Sequence, residues 1–388
     1  MYRWFLFLFV MLFFSCRETA EVNTPLQQAV HYLWSRQGPD GGWHSPAHGI
    51  MKGGEAHTPF VLFALLQIPE SIYPVPHRKK QKALDFIRSH MNAEGVIGLS
   101  DPEIPEYPNY ATAYALRVLV LNSDAEDAGI IKKMQTYLAG QQFSEPRGIE
   151  KNHPAYGAWG FGEPDIRPGT TGHLDISHTR KVLQALRASG YAESSAYKKA
   201  LRFLGVLQKD SLPQPNPLRY NSVLPPEEKP VVSDGGFYIS PVVYSANKGG
   251  IIAETESSPA CFRSYATATC DGLLALLACD PDLENPAIQK ARIWLEAHPA
   301  LAYDSGIPAD NPEQWQTVLI IYHLWVRSEV YKALNWQGTW QQEIWQILSS
   351  YQRSDGSFAN PDGARNKEDD PLLATAMAVM VWENAGSE

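Results

Sequence analysis

The chain is poor in the features that would give it a simple label. It has no Cys-x-x-Cys pair among its 4 cysteines, so a structural zinc site has no support. Cys261, Cys270 and Cys279 remain after Cys16, and an odd number of cysteines leaves at least one thiol unpaired. Cys270 and Cys279 stand nine residues apart in apolar sequence and read as buried free thiols. No stripe of lysine and arginine occurs. With 33 basic against 42 acidic residues and a net charge of −9, nucleic acid is not an expected partner. The apolar run Trp4–Phe14 is too short to span a bilayer as a helix. What the 388 residues do contain is 44% apolar side chains, with 11 Trp, 18 Tyr and 14 Phe. That is enough for a large aromatic-rich core. Length alone suggests about two domains, but an internal repeat can extend one domain further.

The first residues read as a targeting segment. Met1-Tyr2-Arg3 is a short basic start, Trp4–Phe14 suits the core of a signal peptide, and Ser15 precedes Cys16. The run "FFSC" resembles the lipobox of bacterial lipoproteins, which implies lipidation at Cys16 and attachment to the bacterial envelope, facing periplasm or surface. An ordinary cleaved signal and an uncleaved anchor are the alternatives. On this reading residues 1–16 are the signal, 17–24 a tether, and 25–388 a single domain of unknown oligomeric state.

Two ladders of helices alternate through that domain. The first begins with "AVHYLWSRQGPDGGW" (Ala29, Tyr32, Leu33, Gln37, Trp43). It returns as "KMQTYLAGQQ" and "KALRFLGVLQ", ending at Gln142 and Gln208. Weaker copies are "KALDFIRSHM", "KARIWLEAHP" and "EIWQILSSYQ". Glycine turns and aromatics follow several of them: "DGGW", "GAWGFG", "DGGF" and "DGSF". These copies carry aromatics and alanines on one face and polar residues on the other, as helices with one wet side do. The second ladder is apolar nearly all round and reads as buried. Its six helices are marked by Thr58, Thr112, Thr179, Thr269, Thr317 and Thr375. Six outer helices alternating with six inner ones predict an all-α (α/α)6 toroid. In the turns, Gly41 and Gly42 permit a sharp reversal. Asp40 can bond the turn backbone, Trp43 can cover a hairpin end, and Gln37 can bond carbonyls left open at a helix end.

The pattern over residues 29–43 resembles the QW repeat of the squalene–hopene cyclase and protein prenyltransferase β-subunit superfamily, and the likeness runs over about residues 25–385. It implies a cavity inside the ring, lined by residues at and just before each inner-helix threonine. Class II cyclases carry Asp-x-Asp-Asp-Thr there. The nearest stretch here, "DISHT", has Asp175 but Ser177 and His178 in place of the next two aspartates. Asp369 and Asp370 fall out of register. Prenyltransferases show Asp-x-x-His-Thr, which Asp175, His178 and Thr179 match, but their Asp-x-Cys on the preceding inner helix is missing. One ligand of three does not hold catalytic zinc, so neither metal nor other cofactor is expected.

Reading each inner-helix start in that frame gives the candidates. His178, Asp175, His57 and Tyr265 are assigned to catalysis. Glu55, Tyr110, Asn109, Arg263, Trp315, Gln316 and Asp370 are assigned to ligand binding. An imidazole beside a carboxylate, Glu55 or Asp175, can act as a general base near neutral pH. The alternative is that each carboxylate caps its helix and each histidine bonds a neighbouring loop. Two connections, about 143–171 and 209–262, are long enough to serve as functional rim loops. Within the second, 234–262 reads as a binding loop and 211–230 as a spacer. Three functions stay open: a toroid protein binding an isoprenoid or other apolar small molecule, a polysaccharide lyase-like enzyme using His or Tyr on a glycan, and a non-catalytic binding or scaffold lipoprotein.

Overall fold

Thr24 caps the first described helix. Its hydroxyl accepts from Gln27 N at 3.2 Å while Gln27 Oε1 accepts from Thr24 N at 3.1 Å, a reciprocal capping box. The computed structural model describes residues 24–209, 233–256 and 259–386. The proposed signal, Cys16, the tether up to residue 23 and the spacer at 211–230 lie outside them. None of the described helices is long and apolar enough to cross a membrane.

The outer helices are α1 (Pro25–Ser35), α3 (His77–Ser89), α5 (Ala128–Gly140), α7 (Ser194–Leu207), α9 (Pro286–Ala297) and α12 (Trp340–Ser349). Each buries one stripe; α9, for example, buries Ile288, Ala291, Trp294 and Leu295. The inner helices are α2 (His57–Leu66), α4 (Pro108–Asn122), α6 (Ile176–Ala188), α8 (Ala266–Cys279), α11 (Ile320–Ala333) and α13 (Pro371–Ala385). These are covered on nearly every side; α2 is buried from His57 through Leu65. In the inner ring α2 packs on α4, α4 on α6, α6 on α8, α8 on α11 and α11 on α13, and α13 returns to α2. The ring therefore closes, and the fold is an all-α (α/α)6 toroid. A two-stranded ribbon, β1 (Ile251–Ile252) with β2 (Cys261–Phe262), decorates the second rim loop.

Glutamines and glycines clip the hairpins together. Gln37 Nε2 donates to Gly41 O at 2.8 Å and Lys79 O at 2.9 Å. Gln142 Nε2 donates to Gly157 O at 3.0 Å and Ala196 O at 2.9 Å. Each glutamine thus ties its own glycine turn to the first turn of the next outer helix, not to an open C-terminal carbonyl as expected. Gly157, at φ +95, lets the turn press against α7 so closely that a Cβ there would stand 1.9 Å from Lys199 O. Trp43 and Trp159 are fully buried, and each indole N–H donates at 2.6 Å to a carbonyl of its own outer helix, Leu33 O and Leu138 O.

The threonines mark where each turn docks on its inner helix. Thr58, Thr179, Thr269 and Thr375 accept the backbone N–H of Trp43, Trp159, Phe237 and Phe358 at 2.8–3.0 Å. Thr112 receives Ile97 N at 3.2 Å. Thr317 departs from the series: it lies in the short helix α10 (Trp315–Val318) and its hydroxyl donates to Gln314 O. The fifth inner helix starts only at Ile320, and buried His323 holds its fourth position, where Thr179 and Thr269 stand in α6 and α8. Cys270 and Cys279 are buried free thiols in α8, and burial pushes both up to about 12.

Candidate functional site

A cavity of about 350 Å³ opens inside the ring at the starts of the inner helices. That volume is at the lower end of small-molecule pockets. Its best-defined corner is built by the first turn of α6. Asp175 is the N-cap, in extended backbone at φ −158, and accepts His178 N at 2.8 Å. Helical geometry brings the residue three places on back over the cap, so His178 Nδ1 also reaches Asp175 Oδ1 at 2.9 Å. His173 Nε2 approaches the other carboxylate oxygen at 3.3 Å. Capping a helix and orienting an imidazole, offered by the sequence as alternatives, are one arrangement here.

Burial opposes ionisation of Asp175, but His178 and His173 outweigh it and hold the carboxyl well below its ordinary range. An ionised Asp175 needs a donor at His178 Nδ1. That fixes the neutral tautomer with its lone pair on Nε2, the nitrogen free to take a proton. The Phe161 ring, 4.5 Å from His178 and 4.0 Å from His173, wedges the pair in place.

One turn deeper, Lys181 lines the floor. Its Nζ donates to Ser177 Oγ at 3.0 Å and Tyr322 OH at 3.2 Å. Tyr322 OH in turn lies 3.0 Å from both oxygens of Asp271. Burial first, then the charge of Arg180, draws the Lys181 ammonium down to about 7. Lys248 enters from the second rim loop, its Nζ 4.0 Å from the centre of the Trp315 ring, and burial lowers its ammonium too. Lys367 lines the wall over the Tyr107 ring.

Of the sequence candidates, His57, Tyr110, Asp175, His178 and Tyr265 come together on this wall. His57 is buried, with neither ring nitrogen hydrogen-bonded, and its carboxylate neighbour is Asp370 at 3.6 Å rather than Glu55. Tyr265 is driven by burial well above the ordinary phenol range, so it keeps its proton and is not a base. The other six lie off the wall. Glu55 accepts Gly98 N at 2.6 Å and Ser100 N at 3.3 Å and anchors the next turn. Asn109 bonds Gly160 O at 2.9 Å, which positions Phe161. Arg263 donates to Gly249 O at 3.2 Å beside Lys248. Trp315 lies under Lys248, and Gln316 offers its carbonyl to Asp304 N at 2.9 Å. Asp370 caps α13 through Leu372 N at 2.8 Å.

Lys181, Tyr322, His173, Lys248 and Lys367 were not found by reading helix starts. The signal for the first was present: "HTRKVLQAL" sets Arg180 and Lys181 inside a helix that is otherwise buried, three places after His178. Among the described residues no three His, Cys, Asp or Glu side chains form a group that could hold a metal ion.

Glu368 supports the floor from behind. It is fully buried and accepts Ile321 N at 3.1 Å and Tyr322 N at 2.7 Å. Burial, the dominant influence, pushes its carboxyl up to about 7, against about 4.3 in an unfolded chain. Between those values the folded state binds more protons. The stabilisation from Glu368 is therefore complete below about pH 4.3, declines as pH rises, and is lost through about 7. The melting temperature should fall from pH 5 to pH 8, and Glu368→Gln should flatten part of that slope; equal slopes in both proteins would contradict the assignment.

No family model matches the chain, and no curated protein matches it in sequence. Solved structures do match in shape. A variant of type II terpene cyclase MstE from Scytonema, bound to its substrate geranylgeranyl dihydroxybenzoate, superposes with a TM-score of 0.53. The identity is 14%, over 93% of this chain and 96% of that one. D-mannose isomerase gives a TM-score of 0.54 at 11% identity, over 92% and 95%. What they share with this chain is the toroid. An α-1,6-mannanase of Salegentibacter, bound to α-1,6-mannotriose, gives 0.50 at 12% identity, over 93% and 98%. Such distant likenesses fix architecture and leave chemistry to the site.

Proposed function

We propose that the chain takes a small acid with an apolar or planar body into the ring cavity, and that His178, held by Asp175, removes a proton from it. One observation carries this reading: Lys248 and Lys367 line the cavity, and among the described residues Asp175 is the one carboxylate on its wall. In a cleft walled by low-dielectric material, ammonium groups attract carboxylate or phosphate much more strongly than in water. Phe60, Tyr110, Phe161, Trp325 and Met377 supply the apolar remainder, which suits an isoprenoid chain or the flat face of a ring.

This narrows the sequence expectation of an apolar ligand to one bearing an acid group. It also argues against proton-initiated cyclisation, which needs a protonated acid in the cavity. Among the described residues Asp175 is the one carboxyl on the wall, and its histidines keep it ionised. A uronate is a second acid of the required shape. Removing the proton beside its carboxylate is work for a general base, and the His178–Asp175 pair favours that reading over a scaffold without chemistry. As a further part of the proposal, Cys16 tethers the ring to the bacterial envelope, and the ligand is one met there.

The test uses the chain from Arg17 onward and pairs each acid with a neutral counterpart: farnesyl diphosphate with farnesol, and glucuronate with glucose. In at least one pair the acid should raise the melting temperature and its partner should not. The shift should shrink as salt is added, because wall lysines near the mouth are screened. Equal or greater stabilisation by the neutral members would overturn the reading.

A further inference from the structure

Lys181 has no part in the proton abstraction, yet its surroundings are those of a working amine. It follows His178 by three residues on α6, so both side chains leave the helix on one face and reach the same cavity. The carboxylates that could have neutralised it are engaged by its neighbour: Asp271 and Glu329 each lie 2.9 Å from Arg180. Lys181 instead donates to two neutral oxygens, Ser177 Oγ and Tyr322 OH. The rings of Tyr322, Trp325 and Tyr110 surround its Nζ at 5.1, 5.6 and 5.8 Å. An ammonium that is buried, unpaired with an anion and next to an arginine is destabilised relative to the free amine, in keeping with its fall to about 7. Tyr322 then links the nitrogen to Asp271 through two hydrogen bonds, 3.2 Å and 3.0 Å long, along which protons can move.

We infer that Lys181 is an imine-forming lysine and that the acid held in this cavity carries an aldehyde or ketone. The inference rests on the reading above that the ligand is an acid. The free amine attacks the carbonyl carbon; a C–N bond forms and the carbonyl oxygen, gaining a proton, becomes the hydroxyl of a carbinolamine. That hydroxyl leaves as water with a proton relayed through Tyr322, and the nitrogen lone pair closes the C=N bond. No oxidant or reductant is consumed. The resulting protonated imine draws electrons from the adjacent carbon and acidifies its C–H bond. That is the bond His178, one turn earlier on the same face, would break.

Glyoxylate, a small acid with an aldehyde, is the probe, and sodium cyanoborohydride traps any imine as carboxymethyl-lysine. Peptide mass spectrometry near neutral pH should find Lys181 modified at least about tenfold faster than exposed Lys52 or Lys133, because far more of it is unprotonated. It should also be modified faster than Lys248 and Lys367 on the same wall. Tyr322→Phe should slow the Lys181 adduct and leave the rates at Lys52 and Lys133 unchanged. Labelling of Lys181 no faster than Lys52, or a preference for Lys248, would overturn the inference. The two readings fail separately: stabilisation by acids with Lys181 unlabelled overturns only the imine, and labelling of Lys181 with acids and neutral partners binding alike overturns only the preference for an acid.

Discussion

Asp175→Asn is expected to leave the ring folded and to lower turnover by about a hundredfold to ten-thousandfold, the range a positioned general base supplies. The amide oxygen can still accept His178 N, now at 2.8 Å from the carboxylate, and asparagine caps a helix as well as aspartate does. What changes is the charge beside His178 Nδ1, which meets that same oxygen at 2.9 Å. The imidazolium formed when the ring takes a proton loses its carboxylate partner, and the base is weakened. The stability cost should stay near 1 kcal/mol, the scale of a charge at a helix N-terminus. His178→Ala should abolish turnover equally, with a similarly small change in melting temperature, because its side chain ends on the cavity and not in the packed ring. Turnover that survives Asp175→Asn with an unchanged pH profile would remove His178 as the base. A large melting-temperature drop in His178→Ala would make it a framework residue instead.

The second large effect concerns the ring. Gly157→Ala should destabilise the domain by about 3 kcal/mol, combining left-handed backbone strain with overpacking. At φ +95 the new Cβ would stand 1.9 Å from Lys199 O and 2.4 Å from Lys199 C, both rigid backbone atoms of α7. The turn cannot back away freely, because Gln142 ties Gly157 O and Ala196 O together across the same gap. Gly190→Ala is the control. It also has positive φ, +72, but a Cβ there meets nothing within 4 Å, so its cost should be about 1 kcal/mol. Denaturant unfolding of both variants isolates the contact; equal losses would mean that the turn does not hold α7.

These two cases mark what the sequence makes legible. The ring could be read because two hydrophobic patterns alternate and because turn glycines and threonines recur at fixed spacing. Each of those residues answers a local requirement: close backbone approach at Gly157, and a hydroxyl to receive Trp43 N at Thr58. The fifth hairpin misled because Thr317 carries the mark without the register, while His323 holds the register without the mark. At the site, reading helix starts reached His57, Tyr110, Asp175, His178 and Tyr265, which lie at the ring mouth. It stopped one turn short of Lys181. It also took helix-start polar residues such as Glu55 and Asn109 for wall residues, when both spend their polar atoms on neighbouring turns. Lys248 and Lys367 sit on loops, where no periodicity says which side chain turns inward. Charges inside the inner helices were the usable clue: Arg180 and Lys181 in α6, and Asp271 in α8, are buried and would not be there without partners or work.

The most direct test of the account is native mass spectrometry of the chain from Arg17 onward, purified gently from its own host, with the released ligand identified by fragmentation. The bound molecule should carry a carboxylate or phosphate, and retention should weaken when Lys248→Gln and Lys367→Gln are combined. A neutral hydrocarbon or an uncharged sugar, held equally well by wild type and the double variant, would contradict it.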